Sequence, residues 1–93
     1  MKDEIINNVS MSRYELPIAD EALALAYYGV EDGRVVLRHT EVPSEYAGQG
    51  IGKRLAHAVY EKLKAEDKRV IAKCSFMASY AARNPEYAAL LDG

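Results

Sequence analysis

Residues 34–64 read RVVLRHTEVPSEYAGQGIGKRLAHAVYEKLK, and this stretch decides the fold. Residues 34–41 are rich in side chains that favour a strand, and Gly48, Gly50 and Gly52 then interrupt the chain. Over residues 50–64, apolar side chains recur every fourth position, as on one face of an amphipathic helix, at Ile51, Leu55, Val59 and Leu63, with Ala56 and Tyr60 beside them. The pattern predicts a strand, a glycine turn and a helix in that order.

Residues 69–74 are a short run of strand type, and the helix before them gives the connection from strand 34–41 enough length for a parallel crossover. Upstream, residues 22–30 alternate like a strand, and the Asp-Gly turn at residues 31–33 joins them to residues 34–41 as a hairpin. In strand 34–41 the alternation places Val35, Leu37 and His39 on one face.

The remaining elements are short. Residues 12–16 form a candidate first strand that Pro17 ends or restricts to a sheet edge. Residues 75–83 are predicted to be helical, and Asn84-Pro85-Glu86 is a typical start for a last helix that runs to Leu91. We therefore expect one α+β domain over residues 1–93, in which an antiparallel hairpin precedes a parallel βαβ unit and C-terminal short helices, with residues 1–10 flexible.

Composition limits the classes of function. The chain has 93 residues and a net charge of -2, which argues against a nucleic-acid binder because phosphate-backbone binding needs a surplus of Lys and Arg. Cys74 is the single cysteine, so no disulfide forms within the chain. No apolar run approaches the roughly 18 residues that cross a bilayer. The polar start of the chain lacks a signal-peptide pattern, so we expect a cytoplasmic protein that does not enter a membrane.

The glycine turn is a candidate phosphate site. In a βαβ unit the ends of both strands and the start of the helix meet at one sheet edge, and the first helical turn offers unpaired backbone amides. We expect the amides of residues 49–53 to form the cradle. Lys53 and Arg54 support this prediction, since cations in a first turn oppose the helix dipole unless an anion binds there. The alternative is a flexible turn without a ligand.

Four motifs together resemble the small, minimal GNAT-type N-acetyltransferase-like family over residues 10–92. They are HTEVP at residues 39–43, GQGIGKRL at 48–55, CSF at 74–76 and NPEY at 84–87. The resemblance implies a minimal GNAT-like mixed sheet and an acetyltransferase that moves acetyl from acetyl-coenzyme A to an unidentified amine acceptor. It implies cofactor contacts at Val42, Gly48, Gln49, Gly50, Ile51, Gly52, Lys53, Arg54 and Tyr80.

This sequence also departs from the family pattern. Ala47 stands where the family commonly has Arg or Gln, and the length leaves no room for the N-terminal helical segment that shapes the acceptor site in larger members. The alternative function is therefore a non-catalytic acyl-coenzyme A binding or protein-interaction module. The sequence leaves the oligomeric state open.

Two residues are the catalytic candidates. His39 is either the base that takes a proton from the ammonium or the tetrahedral intermediate, with Glu41 acting through a water as the alternative base, or a hydrogen-bonded core histidine. Cys74 is either an acyl-carrying nucleophile near a helix N-terminus or a small buried hydrophobe.

Four further side chains have simpler interpretations. Tyr80 is a candidate acid for the departing thiolate, but its spacing from Phe76 favours packing. His57 is interpreted as part of a basic rim around the phosphates. Tyr27 and Tyr28 are interpreted as sheet packing with one exposed ring, with an acceptor or partner surface as the alternative. Two histidines and one cysteine, not clustered at ligand spacing, do not form a metal site.

Overall fold

The structure is a computed structural model, and it describes residues 4–92. Its five strands are β1 Ile6–Asn8, β2 Arg13–Ala19, β3 Ala22–Glu31, β4 Arg34–Glu41 and β5 Val70–Ala72. They form one sheet in the order β1-β2-β3-β4-β5, in which neighbours are antiparallel except for the parallel pair β4–β5. The predicted mixed sheet, with its antiparallel hairpin followed by a parallel βαβ unit, is confirmed.

Three α-helices follow the glycine turn and cover one face of the sheet. They are α1 Ile51–Ala65, α2 Ser75–Ala82 and α3 Pro85–Ala88, and Val9–Met11 and Ser44–Tyr46 form single 3-10 turns. The apolar stripe of α1 packs into a core with residues of the sheet, chiefly Leu16, Ala24, Ala26, Val35 and Leu37. Leu23, Leu25 and Tyr27 alternate with this set on β3, so they lie on the opposite face, which no helix among residues 4–92 covers.

A β-bulge at Arg38 divides β4 into two parts. Tyr28 lies opposite Leu37 and Tyr27 lies opposite His39, so Arg38 is an extra residue between the two pairs. The prediction that His39 shares a face with Val35 and Leu37 is therefore wrong, because the bulge shifts the alternation by one residue. Beyond it, Thr40 points toward the helices and His39 points to the open face.

Gly29 makes room for the bulge residue. A Cβ at Gly29 would lie 2.6 Å from an Arg38 guanidinium nitrogen, so the side chain of Arg38 crosses β3 over the glycine. There it reaches Glu31 at 3.3 Å.

The parallel strand β5 separates from β4 at the bulge. It pairs with Val35, Val36 and Leu37 only, and is shorter than the predicted residues 69–74. The amides of Lys73 and Cys74 then both donate to the Leu37 carbonyl, at 2.9 and 3.0 Å. From Arg38 to Glu41 the outer edge of β4 therefore has no strand partner among residues 4–92.

The C-terminal prediction needs a correction. α3 ends at Ala88, and the chain then extends so that Leu91 forms a parallel bridge with Val70. The Val70 amide donates to the Leu90 carbonyl at 2.9 Å, and the Asp92 amide donates to the Val70 carbonyl at 2.7 Å. A helix to Leu91 is wrong because these bonds pair the outer edge of β5, which would otherwise be left open.

The N-terminal segment has more structure than predicted. Residues 6–8 form β1 against β2 and residues 9–11 form a 3-10 turn, although the sequence analysis expected residues 1–10 to be flexible. Residues 1–3 lie outside the described residues. β2 continues through Pro17 to Ala19. The strand tolerates Pro17, which has no amide hydrogen, because β1 pairs with β2 only as far as Glu15 and leaves the edge at Pro17 unpaired.

Candidate active site

The glycine turn has a backbone that favours glycine and an unobstructed outer surface. Gly48 and Gly50 have φ angles of 79° and 75°, in the left-handed region that other residues rarely adopt. A Cβ at either position would meet nothing within 4 Å. The space over the turn is therefore open to a ligand.

The first turn of α1 offers backbone amides to that space. Gly50 is the N-cap, and no side chain in the described part of the chain caps the helix. The first bond of the helix type runs from the Arg54 amide to the Gly50 carbonyl at 3.2 Å, so the amides of residues 51–53 precede the ladder. The Gln49 amide instead donates to the Tyr46 carbonyl at 3.4 Å, so the turn itself already uses one of the predicted cradle amides.

Two predicted cofactor residues also have structural roles. The side chain of Ile51 is buried in the core, which leaves only its amide for a ligand. Gly52 lies beneath α2, where an added Cβ would lie 3.1 Å from Cζ of Phe76. This close packing between the two helices explains Gly52 without a phosphate.

Cations lie beside the turn, as predicted. Lys53 and Arg54 are both exposed in the first turn of α1. No acidic residue occurs in that turn. Their charges oppose the helix dipole and are offset when an anion binds at the N-terminus.

The free edge of β4 lies close to Cys74. Thr40 Oγ1 is 3.7 Å from Cys74 Sγ, and Cys74 is the N-cap residue of α2. The thiol is partly buried against the core. The second half of β4 and the start of α2 thus meet on the helix-covered side of the sheet.

His39 lies on the other side of the same edge. Its side chain is 62% exposed, and Nε2 is 3.1 Å from Glu41 Oε2. Its ring stacks on Tyr27 with 6.1 Å between centroids. The core-histidine interpretation is wrong, and His39 and Cys74 approach the β4 edge from opposite faces rather than forming one corner.

A polar network extends from Tyr27 across the open face. The Tyr27 hydroxyl accepts a hydrogen bond from Arg13 at 3.2 Å, and Arg13 pairs with Glu15 at 2.8 Å. Hydrogen bonds from Asn8 and Arg13 lower the pKa of Glu15, and the bonds to Glu15 and Tyr27 raise the pKa of Arg13. This network was not predicted from the sequence, although alternation on β2 puts Arg13 and Glu15 on one face.

Tyr80 belongs to a stack of aromatic rings. Its ring lies nearly parallel to those of Tyr60 and Tyr87, at 6.2 and 6.0 Å between centroids. Burial raises the pKa of Tyr80, and the nearby carboxylates of Glu86 and Glu61 raise it further. The packing interpretation of Tyr80 agrees with this arrangement.

His57 is part of the same cluster and not of a phosphate rim. The Tyr87 hydroxyl donates to Glu61 Oε2 at 2.5 Å, and His57 Nδ1 lies 3.1 Å from the same hydroxyl. The interpretation of His57 as an extension of the basic rim is therefore wrong, since its ring faces Tyr87 and joins α1 to α3.

A groove of about 500 Å³ opens on the uncovered face beside Glu41. Its walls come from the β2–β3 turn, from β3 and from the segment after β4, and its lining residues are Asp20, Glu21, Ala22, Leu23, Leu25, Glu41, Val42, Pro43, Glu45 and Tyr46. Sequence reasoning missed it because three separate segments build it. Val42, predicted to contact the cofactor, lines this groove and packs against the core.

Over residues 4–92, no three His, Cys, Asp or Glu side chains are grouped so that they could hold a metal ion. No helix in that range combines the length and apolar character needed to cross a membrane.

Comparison with known proteins agrees with this geometry. The sequence profile of the GCN5-related N-acetyl-transferase family matches residues 13–90. Protein NATD1 from Homo sapiens is 38% identical over 63 residues, which are 67% of this chain and 56% of that protein. Protein NATD1 from Xenopus tropicalis is 38% identical over 66 residues, which are 71% and 60% of the two chains. The match thus spans less than two thirds of the length of these relatives.

A solved structure extends the comparison to nearly the whole chain. The NMR structure of a candidate GCN5-like N-acetyltransferase from Staphylococcus aureus superposes with a TM-score of 0.68 at 29% identity. The superposition covers 97% of this chain and 88% of that one. The family profile and this structural match together show that the chain belongs to the GCN5-related N-acetyltransferase family.

Proposed function

We propose that this chain is an acetyl-coenzyme A-dependent N-acetyltransferase that acts on an amine. The observation that carries the proposal is the free edge of β4 from Arg38 to Glu41, which lies between the glycine turn and the start of α2. An unpaired strand edge offers alternating amide and carbonyl groups to an extended ligand. The amide-containing pantetheine arm of coenzyme A is such a ligand.

The pyrophosphate is assigned to the start of α1. The amides of residues 51–53 and the helix dipole attract an anion, and the open space over Gly48 and Gly50 admits it. Lys53 supplies a compensating charge. In this assignment Gly48, Gly50, the first-turn amides and Lys53 together bind the pyrophosphate. A turn without a ligand would leave the cation in the first helical turn unexplained.

The direct reaction uses His39 as the base. His39 takes a proton from the ammonium form of the acceptor, and the lone pair of the neutral amine then attacks the thioester carbonyl carbon. The carbon–nitrogen bond forms, the carbon–sulfur bond breaks, and coenzyme A leaves as a thiolate that takes up the second proton, which the nitrogen loses as the amide forms. Glu41, 3.1 Å from His39 Nε2, stabilises the imidazolium that forms.

Cys74 defines a second route to the same product. Its thiolate attacks the thioester and releases coenzyme A, and the amine then displaces Cys74 from the acetyl group. A thioester held at the β4 edge has His39 on one side and Cys74 with Thr40 on the other. The two routes differ in whether the protein becomes acetylated before an amine is added.

The test is release of free coenzyme A thiol from acetyl-coenzyme A across a panel of amines. We expect turnover by the wild type and a loss of about 100-fold or more in kcat in His39→Ala, since a positioned base contributes roughly that factor. His57→Ala is the matched histidine control, because its ring contacts Tyr87 on the helix side. Equal rates in His39→Ala and the wild type would refute the assignment of the base.

Cys74→Ala and intact-mass measurement separate the routes. An increase of one acetyl group on the wild type, absent from Cys74→Ala, identifies the covalent route. Turnover by Cys74→Ala without any protein acetylation identifies direct transfer. Binding of acetyl-coenzyme A without turnover on any amine would instead favour the alternative, a non-catalytic acyl-coenzyme A binding module.

A further inference from the structure

The groove on the open face has a consistent charge. Four of its lining side chains carry carboxylates, namely Asp20, Glu21, Glu41 and Glu45, and its lining includes no Lys, Arg or His. Glu41 contacts His39, whereas the other three form no ion pair within residues 4–92. The electrostatic potential in such a groove is negative, and a low-dielectric wall strengthens it.

The floor of the groove is apolar. Leu23 and Leu25 project from β3 onto the uncovered face, and both are partly exposed there. Val42, Pro43 and Tyr46 complete the lining from the segment after β4. An occupant that matches this surface has an apolar stem for the floor and a positive group for the carboxylates.

The groove also leads to the candidate base. Leu25 lies opposite Glu41 in the β3–β4 register, and Tyr27 lies opposite His39 one step further along the same face. Glu41 lines the groove and its Oε2 is 3.1 Å from His39 Nε2. A cation in the groove is thus next to the residue that would accept its proton.

We propose that this groove is the acceptor site, and that it selects alkylammonium acceptors with an apolar stem over amines that also carry a negative charge. The proposal rests on the N-acetyltransferase function proposed above and adds to it the class of acceptor. Charge complementarity carries it, because the four carboxylates attract a cation and repel a carboxylate. The reaction begins when the ammonium loses a proton to His39, and the neutral amine then attacks the thioester.

Three amines of similar length test the selectivity. They are 1,5-diaminopentane, with two positive charges, pentylamine, with one, and 5-aminopentanoate, in which a carboxylate balances the ammonium. We expect KM to be lowest for the diamine and at least about tenfold higher for the aminopentanoate. Each exposed charge contact changes affinity by up to about fivefold, so two or more such contacts allow a difference of this size. Raising the ionic strength should narrow this difference. Equal KM values for the three amines would overturn the proposal.

Two charge-neutralising variants locate the effect. Asp20→Asn and Glu45→Gln should each raise KM for 1,5-diaminopentane about two- to fivefold, with kcat and KM for acetyl-coenzyme A nearly unchanged. Glu31→Gln is the control, because Glu31 is an exposed carboxylate that pairs with Arg38 and does not line the groove. A KM that responds to Glu31→Gln as strongly as to Glu45→Gln would indicate a general charge effect and contradict the site.

A binding experiment distinguishes failure of this proposal from failure of the proposed function. In an NMR titration with 1,5-diaminopentane, we expect the amides of Leu23, Leu25 and Glu45 to shift, and to shift less in Glu45→Gln. Shifts at these amides without turnover would refute the enzyme and retain the amine site. Turnover without such shifts would retain the enzyme and refute the groove as its acceptor site.

Discussion

The two halves of β4 have opposite environments although the chain between them is continuous. Val35, Val36 and Leu37 are buried and pair with β3 on one side and β5 on the other. From the bulge onward, residues 38–41 are exposed or half-buried, and residues 39–41 pair with β3 alone. The same strand thus stabilises the fold in its first half and presents an unpaired edge and the candidate base His39 in its second.

This contrast shows how a chain of 93 residues combines a core with a site. A small domain has little surface to bury, so its site must come from elements that also build the core. The bulge separates the two tasks within a few residues. Substitutions before Arg38 should therefore change stability, whereas substitutions after it should change ligand binding and turnover.

The largest expected effect tests the first half. Leu37→Ala removes a fully buried side chain from the core and should lower the free energy of unfolding by about 2–5 kcal/mol. His39→Ala, two residues further, should change it by about 0.5 kcal/mol or less, since the side chain is exposed. Urea denaturation measures both. Similar losses in the two variants would show that the halves do not differ as described.

The next effect tests the glycine turn that borders the second half. Gly50→Val should weaken acetyl-coenzyme A binding by more than about tenfold, roughly 1.4 kcal/mol, because a side chain would occupy the space over the first-turn amides. Gly33→Val is the matched control, since Gly33 also has a positive φ, of 77°, and an open Cβ position, but lies in the β3–β4 turn. Calorimetric titration should find the affinity of Gly33→Val unchanged. Equal weakening in both variants would attribute the effect to backbone strain.

A smaller effect tests the helix-covered face of the sheet through the pH dependence of stability. Burial, followed by the nearby Tyr28 and Glu66, raises the pKa of Tyr14 well above its usual value near 10. The folded chain therefore keeps a phenol proton that the unfolded chain releases, and stability present below pH 10 should fall as the pH rises above it. After allowing for partial solvent screening, Tyr14 contributes at most about 1 kcal/mol per pH unit. Tyr14→Phe should reduce the slope of stability between pH 10 and 11, and an unchanged slope would contradict the cause given.

The smallest effect concerns Gly52. Replacing a helical glycine by alanine usually stabilises by up to about 1 kcal/mol, but here the added methyl group lies 3.1 Å from the Phe76 ring. We expect Gly52→Ala to be nearly neutral in the wild type and stabilising in a Phe76→Leu background. A thermal unfolding cycle measures this coupling. Independent effects of the two substitutions would mean that Phe76 does not require glycine at this position.

Local patterns in the sequence predicted much of the fold. The apolar stripe from Ile51 to Leu63 predicted α1 to within one residue at each end, and the Asp-Gly turn predicted the hairpin. Both patterns are local, because the residues that form each of them lie close together along the chain. The bulge at Arg38 was not predictable, because Val35, Val36 and Leu37 are apolar at three successive positions. The polar–apolar alternation is already broken there, so the sequence does not show where an extra residue is inserted. The face of His39 was therefore assigned wrongly.

The candidate site was predictable only in part. Its glycine turn is one continuous segment, so the sequence located it, but the sequence does not show which amides are free or that Gly52 packs against Phe76. The groove and the Arg13 network depend on contacts between separate strands. β1 was missed because Asn7 and Asn8 give it no apolar alternation, and its bonds to β2 come from the backbone.

The central claim is that acetyl-coenzyme A binds along the glycine turn and the free edge of β4. An NMR titration of the wild type with acetyl-coenzyme A tests it most directly, because each amide reports separately. We predict saturable shifts at residues 48–53 and 39–42, with little change at Val35 and Val36. Saturating acetyl-coenzyme A that leaves the amides of residues 48–53 unshifted, or that shifts only residues far from this edge, would contradict the account.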